Sequence, residues 1–229
     1  MSNPSVSICF PAYNEEATIR DVIVEAYSLL EEANLAYEIL VCDDGSTDNT
    51  GAIIDELQKT IPTLTVFHNS VNCGMRYTFE FLNHQARMEF IFLNSADRQW
   101  PTQCIFDLLP LVQDFDIIIA SRTNKHYGII RSFVSWAYDN VPHLIYGIGK
   151  HDFGAVKLIR REIIEAFTLV SRSPFTEAER LIRAARAGYR ITDYPLDTRP
   201  RETGVATGAK PKLIFEAVID LIRVWRDLK

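Results

Sequence analysis

Glu38-Ile39-Leu40-Val41-Cys42-Asp43-Asp44-Gly45-Ser46-Thr47-Asp48 decides the architecture. A short apolar run gives way at once to acids, a glycine and hydroxyls. Such a run bounded by turn residues reads as a buried strand, and Ser46 or Asp48 is placed to cap a helix over 49–60. The pattern recurs on either side. Val6-Ser-Ile-Cys-Phe10, ended by Pro11, predicts a first strand. Behind it Ala17, Ile19, Val22, Ile23, Ala26, Leu29 and Leu30 are spaced for a helix over 15–33. Asn14 is its expected N-cap, with Glu15 and Glu16 at the positive end of the helix dipole. Leu64–His68, Phe90–Leu93 and Asp116–Ala120 read as further strands, with helices from Gly74 to Ala86 and from Pro101 to Val112. Strands alternating with helices predict an α/β fold with an open, mostly parallel sheet flanked by helices on both faces. No GxGxxG follows the first strand and there is no P-loop, so a dinucleotide-binding reading lacks its main support.

The second half changes rhythm. Residues 129–146 form an aromatic-rich helical segment with Phe133, Trp136, Tyr138 and Tyr146. A strand over 155–159, helices over 162–170 and 176–187, a strand over 189–196 and a loop over 198–208 follow. From Lys210 a last helix carries Leu213, Ile214, Ala217, Val218, Leu221, Ile222 and Trp225 as an amphipathic stripe.

The 229 residues are 47% hydrophobic and 24% charged, the proportions of an ordinary globular chain, which excludes disorder and a disulfide scaffold. Cys9, Cys42, Cys73 and Cys104 match no metal or redox spacing, and the five histidines show no ligand spacing. Reduced thiols and the absence of a signal-peptide pattern predict a cytoplasmic protein. No apolar run reaches the roughly 18 residues of a spanning helix, so work at a membrane would be done from its surface or through a membrane-protein partner. The net charge of −6 divides unevenly: residues 1–118 hold 5 Lys and Arg against 18 Asp and Glu, residues 119–229 hold 19 against 12. The acidic first half argues against nucleic acid as a partner. The basic second half suits a phosphorylated ligand or an anionic membrane face, or is surface composition alone.

Ligands of open α/β sheets bind at the carboxyl ends of the strands. Four polar motifs fall there: Pro11-Ala-Tyr-Asn-Glu15, Asp43-Asp44-Gly45, Ala96-Asp97-Arg98-Gln99 and Ser121-Arg122. Carboxylates gathered at the end of buried strands need compensation, which a nucleoside or a divalent cation supplies.

With Asn72-x-Gly74, Ser95-Ala-Asp-Arg-Gln-x-Pro101 and Arg201-x-x-Gly204 added, the ordered series resembles family 2 glycosyltransferases, inverting enzymes of the GT-A fold that use nucleotide sugars. Within that family the chain is most similar to polyprenyl-phosphate sugar synthases of the dolichol-phosphate mannose synthase type. The resemblance implies residues 1–121 as a nucleotide-sugar-binding half and 122–229 as an acceptor-binding half of one catalytic domain. It implies that Pro11, Tyr13 and Glu15 line the nucleobase and ribose pocket and that Asp43 or Asp44 holds the base or ribose. Asp97 and Gln99 match the metal-binding positions that bridge Mg²⁺ or Mn²⁺ to the diphosphate. Arg122, Arg131 and Arg201 match basic positions that contact the diphosphate or the acceptor phosphate. One departure matters: Ser95 stands where the family's Asp-x-Asp begins with a carboxylate. Either Asp97, Gln99 and the diphosphate suffice for the cation, or metal affinity is weakened, or the chain binds nucleotide sugar without catalysis.

The acceptor decides whether a base is needed. A saccharide hydroxyl must lose a proton, and Asp152, Glu177 and Glu179 are candidate bases, the last two also read as exposed helix charges or caps. A polyprenyl phosphate, with a second pKa of about 6 like other phosphate monoesters, needs a cationic cradle instead. The Arg-rich second half favours that acceptor. Phe133, Trp136 and Tyr138, or the last helix with Lys210, Lys212, Arg223, Arg226 and Lys229, would then meet the membrane or else pack on the sheet. Trp100 stacks on a sugar ring or caps the core.

Overall fold

Strands β1 (Val6–Ala12), β2 (Tyr37–Asp43), β3 (Leu64–His68), β4 (Phe90–Leu93), β5 (Ile117–Arg122), β6 (Lys157–Arg160) and β7 (Ile191–Leu196) form one sheet in the order β3-β2-β1-β4-β6-β5-β7. The computed structural model describes residues 4–123, 129–199 and 211–229, with side chains except at 129–131 and 133. β6 pairs antiparallel with β4 and with β5. The remaining pairs are parallel, so six strands present their carboxyl ends along one edge. The apolar runs behave as expected of doubly covered strands: Ile8, Phe10, Ile39, Val41, Phe92 and Ile118 are fully buried.

The helices are α1 (Ile19–Glu32), α2 (Thr50–Gln58), α3 (Met75–Gln85), α4 (Ile105–Leu108), α5 (Ile129–Tyr146), α6 (Glu162–Ala166), α7 (Thr176–Arg186) and α8 (Pro211–Asp227). α1 and α2 pack together, joined by a 3₁₀ turn at Thr102–Cys104. α3 connects β3 back across to β4, and the right-handed crossover places it on the other face, where it meets α6.

Four expectations are corrected. The first helix begins at Ile19, with Thr18 at the N-cap position; Asn14 instead adopts a left-handed φ of 56° and takes the Thr47 N–H on its side-chain oxygen at 2.8 Å. The expected helix over 101–112 is broken into a 3₁₀ turn, α4 and a second 3₁₀ turn over Leu109–Gln113, because Pro110 offers no N–H to continue the ladder. The helix expected over 162–170 stops at Ala166. Its continuation is pulled out of helix by two buried carboxylates: Glu179 accepts the N–H groups of Val170 and Ser171, and Asp220 those of Arg172 and Ser173. The strand expected over 155–159 lies at Lys157–Arg160.

Candidate active site

The carboxyl ends of β1 and β2 are stitched together by their own motifs. Asn14 N–H donates to Ser46 Oγ at 2.9 Å, Glu15 N–H to Thr50 Oγ1 at 2.8 Å, and Glu16 N–H to Asp48 Oδ2 at 3.1 Å. The hydroxyl-rich stretch after Asp44 therefore shapes the neighbouring loop as well as opening α2. Gly45, at φ 71°, lets this loop close against the one after β3, since a Cβ there would sit 2.5 Å from the Val71 backbone. Tyr13 is exposed beside them, and Pro11 and Glu15 are partly buried.

The paired acids differ in employment. Asp44 is buried and accepts three hydrogen bonds from the next loop: Asn69 Nδ2 at 2.7 Å, Cys73 N at 2.9 Å and Gly74 N at 2.8 Å. It shapes the entrance to α3. Asp43, also buried, takes the Ser46 N–H on Oδ1 and faces His68 Nδ1 at 3.3 Å through Oδ2. His68 Nε2 lies 3.0 Å from Asp55. Partial burial works to lower the His68 pKa, but the hydrogen bonds to Asp55 and Asp43 outweigh it and hold it above the ordinary value. A raised histidine pKa gives stability that is complete below the unfolded value of 6.5 and is lost as pH rises through the folded value. The thermal midpoint is thus expected to fall from pH 6.5 upward, and His68→Gln to flatten that slope; melting curves across the range check both.

Past β4, the chain turns through Asn94 and Asp97, both buried. Asp97 Oδ1 accepts the Ser95 hydroxyl at 2.5 Å and the Gln99 N–H at 3.1 Å. Ser95 thus supports Asp97 without adding charge. Arg98 holds the left-handed bend, at φ 60°, and reaches Asp21 of α1 at 3.3 Å. Gln99 C=O accepts the Arg199 N–H at 2.9 Å, which lays the segment after β7 across the turn after β4. Trp100 is buried, and the Arg122 guanidinium lies 5.9 Å from its ring centre. These contacts bring the Asp97 turn, Arg122 and Arg199 to the same stretch of the edge.

Arg122, ending β5, is clamped by Asp152: Nε donates to Oδ2 at 2.9 Å and Nη2 to Oδ1 at 2.6 Å. A two-point clamp fixes the guanidinium plane. Next to it, Asp193 accepts the Ser121 hydroxyl and faces His151 Nδ1. Burial works to raise the Asp193 carboxyl, but the His151 and Ser121 hydrogen bonds hold it below its ordinary value. Ser121, Arg122, Asp139, Lys150, His151, Asp152 and Asp193 line a cavity of about 300 Å³. His68 and His151, unassigned by spacing, thus each engage a site carboxylate. Their partners are distant in sequence, so no local signal marks them. Arg201 lies outside the described residues, as does the side chain of Arg131.

The three candidate bases are all engaged. Asp152 holds Arg122. Glu179 is fully buried, not an exposed helix charge, and besides its loop N–H groups accepts Arg183 Nε at 2.7 Å. Glu177 meets the buried Lys157 at 3.1 Å; burial works to raise its carboxyl, but Lys157 and Arg180 hold it below the ordinary value.

Among the described residues no group of three or more His, Cys, Asp or Glu side chains forms a ready cation cage. Asp97 with Ser95 and Gln99 offers one carboxylate and neutral oxygens. That donor set fits a hard cation of the Mg²⁺ or Mn²⁺ type completed by substrate phosphates, which ordinarily takes only one or two protein carboxylates.

Comparison with known proteins gives the same picture. The chain is 27% identical over 213 residues to glycosyltransferase AglD of Haloferax volcanii, covering 86% of this chain and 33% of that protein. It is 26% identical over 222 residues to the undecaprenyl-phosphate 4-deoxy-4-formamido-L-arabinose transferase of Pseudomonas fluorescens, covering 95% of this chain and 64% of that one. The chain thus spans between a third and about two thirds of these relatives. Among solved structures, glucosyl-3-phosphoglycerate synthase of Mycobacterium tuberculosis in complex with Mn²⁺, UDP and phosphoglyceric acid superposes with a TM-score of 0.76 at 15% identity, over 97% of this chain and 78% of that one. The mannosyltransferase PcManGT of Pyrobaculum calidifontis, with GDP-Man and Mn²⁺, gives 0.69 at 18% identity, over 97% and 65%. These two likenesses establish the GT-A fold. The model of the glycosyl transferase family 2 domain matches residues 7–177, and with the edge geometry described above this chain belongs to that family.

Proposed function

We propose that the chain moves a sugar from a nucleotide-diphosphate sugar to a polyprenyl phosphate in one inverting displacement. The carrying observation is the state of its carboxylates: Asp152, Glu177 and Glu179 are each held in an ion pair or a backbone cradle. A phosphate oxyanion needs no base, whereas a hydroxyl does. The undecaprenyl-phosphate relative supports this acceptor.

In this reading residues 1–121 hold the donor, with Pro11, Tyr13, Glu15 and Asp43 around the nucleoside, and 122–229 hold the acceptor. Asp97, Ser95 and Gln99 would hold the Mg²⁺ or Mn²⁺, which when bound neutralises charge on the diphosphate. The acceptor oxygen forms the new bond to the anomeric carbon as the bond to the diphosphate breaks, so charge grows on the leaving group. Arg122, held flat by Asp152 near Trp100, stands where it can meet that charge, and Arg131 and Arg201 would meet the acceptor phosphate. Trp100, buried, caps the core next to Arg122. The work takes place at the cytoplasmic face of a membrane.

The test is turnover of UDP- and GDP-sugars with a short-chain polyprenyl phosphate against free saccharides. A glycosyl-phosphate product is expected; glycosylated saccharide alone overturns the reading. Arg201→Ala is expected to raise the KM for the polyprenyl phosphate by about tenfold or more, as loss of a charge-assisted hydrogen bond implies, with the donor KM little changed. Transfer to a saccharide hydroxyl has one observation in its favour, since Glu177 Oε1 is buried without a hydrogen-bond partner. Glu177→Gln would then abolish transfer.

A further inference from the structure

We infer that the outward face of α8 is a docking surface for an anionic lipid bilayer. The helix is apolar on two sides, and the described residues cover only one of them. Facing inward, Val224 and Asp220 are buried, Ala217, Leu221 and Leu228 pack on the core, and Asp220 accepts the N–H groups of Arg172 and Ser173 at 2.8 Å. At 100° per residue, Phe215, Val218, Ile219, Ile222 and Trp225 fall on the opposite side within about 120° of arc. Each is 40–67% exposed. An ordinary surface helix shows charge there, so a continuous row of large apolar side chains calls for an occupant. The surface extends onto α5: the Tyr146 hydroxyl donates to Leu221 C=O at 2.5 Å, and beside it Leu144 and Ile145 are exposed.

Charge selects the occupant. Lys212, Arg226 and Lys229 are exposed around the row, and Lys229 Nζ sits 3.5 Å from the centre of the Trp225 ring. The acids of this helix are turned to other work: Asp220 is buried, Asp227 pairs with Arg183, and Glu216 lies 3.9 Å from Lys212. An apolar row ending in an aromatic ring and bordered by cations is the profile of a helix lying in the plane of an anionic interface. Two copies meeting through this face would bring like charges together. Tyr138 takes no part, being packed edge-on against Phe153 and Phe175. The inference rests on the lipid-phosphate reading above, for an acceptor with a polyprenyl tail is reached only from a bilayer surface.

The experiment is co-sedimentation of the full chain with vesicles of phosphatidylcholine alone and of phosphatidylcholine with phosphatidylglycerol. Binding is expected only with the anionic lipid, and weaker as ionic strength rises from about 0.1 M to about 1 M and the screening length shrinks from about 10 Å to about 3 Å. Ile219→Ser with Ile222→Ser is expected to lower the partition by at least about tenfold, since it removes buried apolar area without altering charge. Arg226→Gln with Lys229→Gln is expected to reduce it and its salt dependence together. Unaltered far-UV spectra and melting points show that the variants are folded, as their side chains are exposed. The inference is overturned if the wild type ignores anionic vesicles, if the serine variant binds as the wild type does, or if sedimentation velocity shows a dimer that the serine variant dissolves while vesicles are ignored. Turnover with the short-chain acceptor free in solution is measured alongside. Vesicle binding without turnover removes the proposed reaction and leaves the docking face; turnover without vesicle binding does the reverse.

Discussion

Asp97→Ala is expected to lower sugar transfer by at least about 100-fold, the scale on which a single transition-state electrostatic partner acts. Most sites that hold a cation against a diphosphate share the work between carboxylates. By the family resemblance Ser95 stands at the position of the other one, and its hydroxyl donates to Asp97 Oδ1. All of the negative charge in the Ser95, Asp97 and Gln99 donor set therefore resides on Asp97, with no second acid to take its place. Removing it also leaves the Ser95 hydroxyl and Gln99 N–H without their acceptor, a local penalty of about 1–3 kcal/mol. Asp97→Asn separates the two effects, because the amide keeps an oxygen acceptor and loses the charge. Both variants are expected to lose turnover and the extra thermal stability that Mn²⁺ confers in the presence of a nucleoside diphosphate, while only the alanine lowers the melting point without ligand. Ser95→Asp is expected to move the opposite way, lowering the Mn²⁺ concentration for half-maximal rate. Transfer by Asp97→Asn within tenfold of the wild type would remove Asp97 from the reaction. Initial rates at saturating donor, with and without added Mn²⁺, make the measurement.

The parts of this molecule that could be read from the chain are those in which one residue type does one job locally. β1, β2, β4 and β5 are apolar runs buried on both faces, so composition and length reveal them, and the motifs behind them land on the carboxyl edge by topology alone. β6 is different. It has four residues, begins with the buried cation Lys157, and sits between β4 and β5 only because both accept it in antiparallel register. Its apolar residues mark a strand over 155–159, and pairing with two remote partners moves its bounds to Lys157–Arg160. The site divides likewise. Asp43, Asp97 and Arg122 stand at or just past strand ends and are visible, whereas the roles of Asp152, Asp193, His68 and His151 come from partners between 13 and 72 residues away. Asp44 shows the limit of motif reading: adjacent to Asp43 and identical in type, it is turned toward the Asn69–Gly74 loop and binds there. The α6–α7 connection carries helical spacing through residue 170, while Glu179 and Asp220, which hold its path, act on backbone N–H groups that carry no sequence signature.

Glu179→Ala is expected to destabilise the fold by about 2–6 kcal/mol, since it leaves two loop N–H groups without an acceptor at about 1–3 kcal/mol each. For a chain of this size each kcal/mol moves the melting point by about 2–4 °C, so a fall of about 10 °C is expected. The carboxylate is fully buried and accepts the N–H groups of Val170 and Ser171 together with Arg183 Nε. Alanine leaves those two N–H groups without an acceptor, and a guanidinium that still has Asp227 to pair with. Glu179→Gln keeps an oxygen for the loop and loses the ion pair, so its smaller fall measures the Arg183 share. The same loop is held from the other side by Asp220 of α8, through Arg172 and Ser173. Two anchors on four consecutive N–H groups couple, so the loss for Glu179→Ala with Asp220→Ala should depart from the sum of the single losses by more than about 0.5 kcal/mol. Strict additivity in denaturant unfolding would mean that the two carboxylates hold the loop independently of one another. Single losses near zero would mean instead that α6 ends without either carboxylate and that α8 owes its seat to Val224 and its apolar neighbours alone.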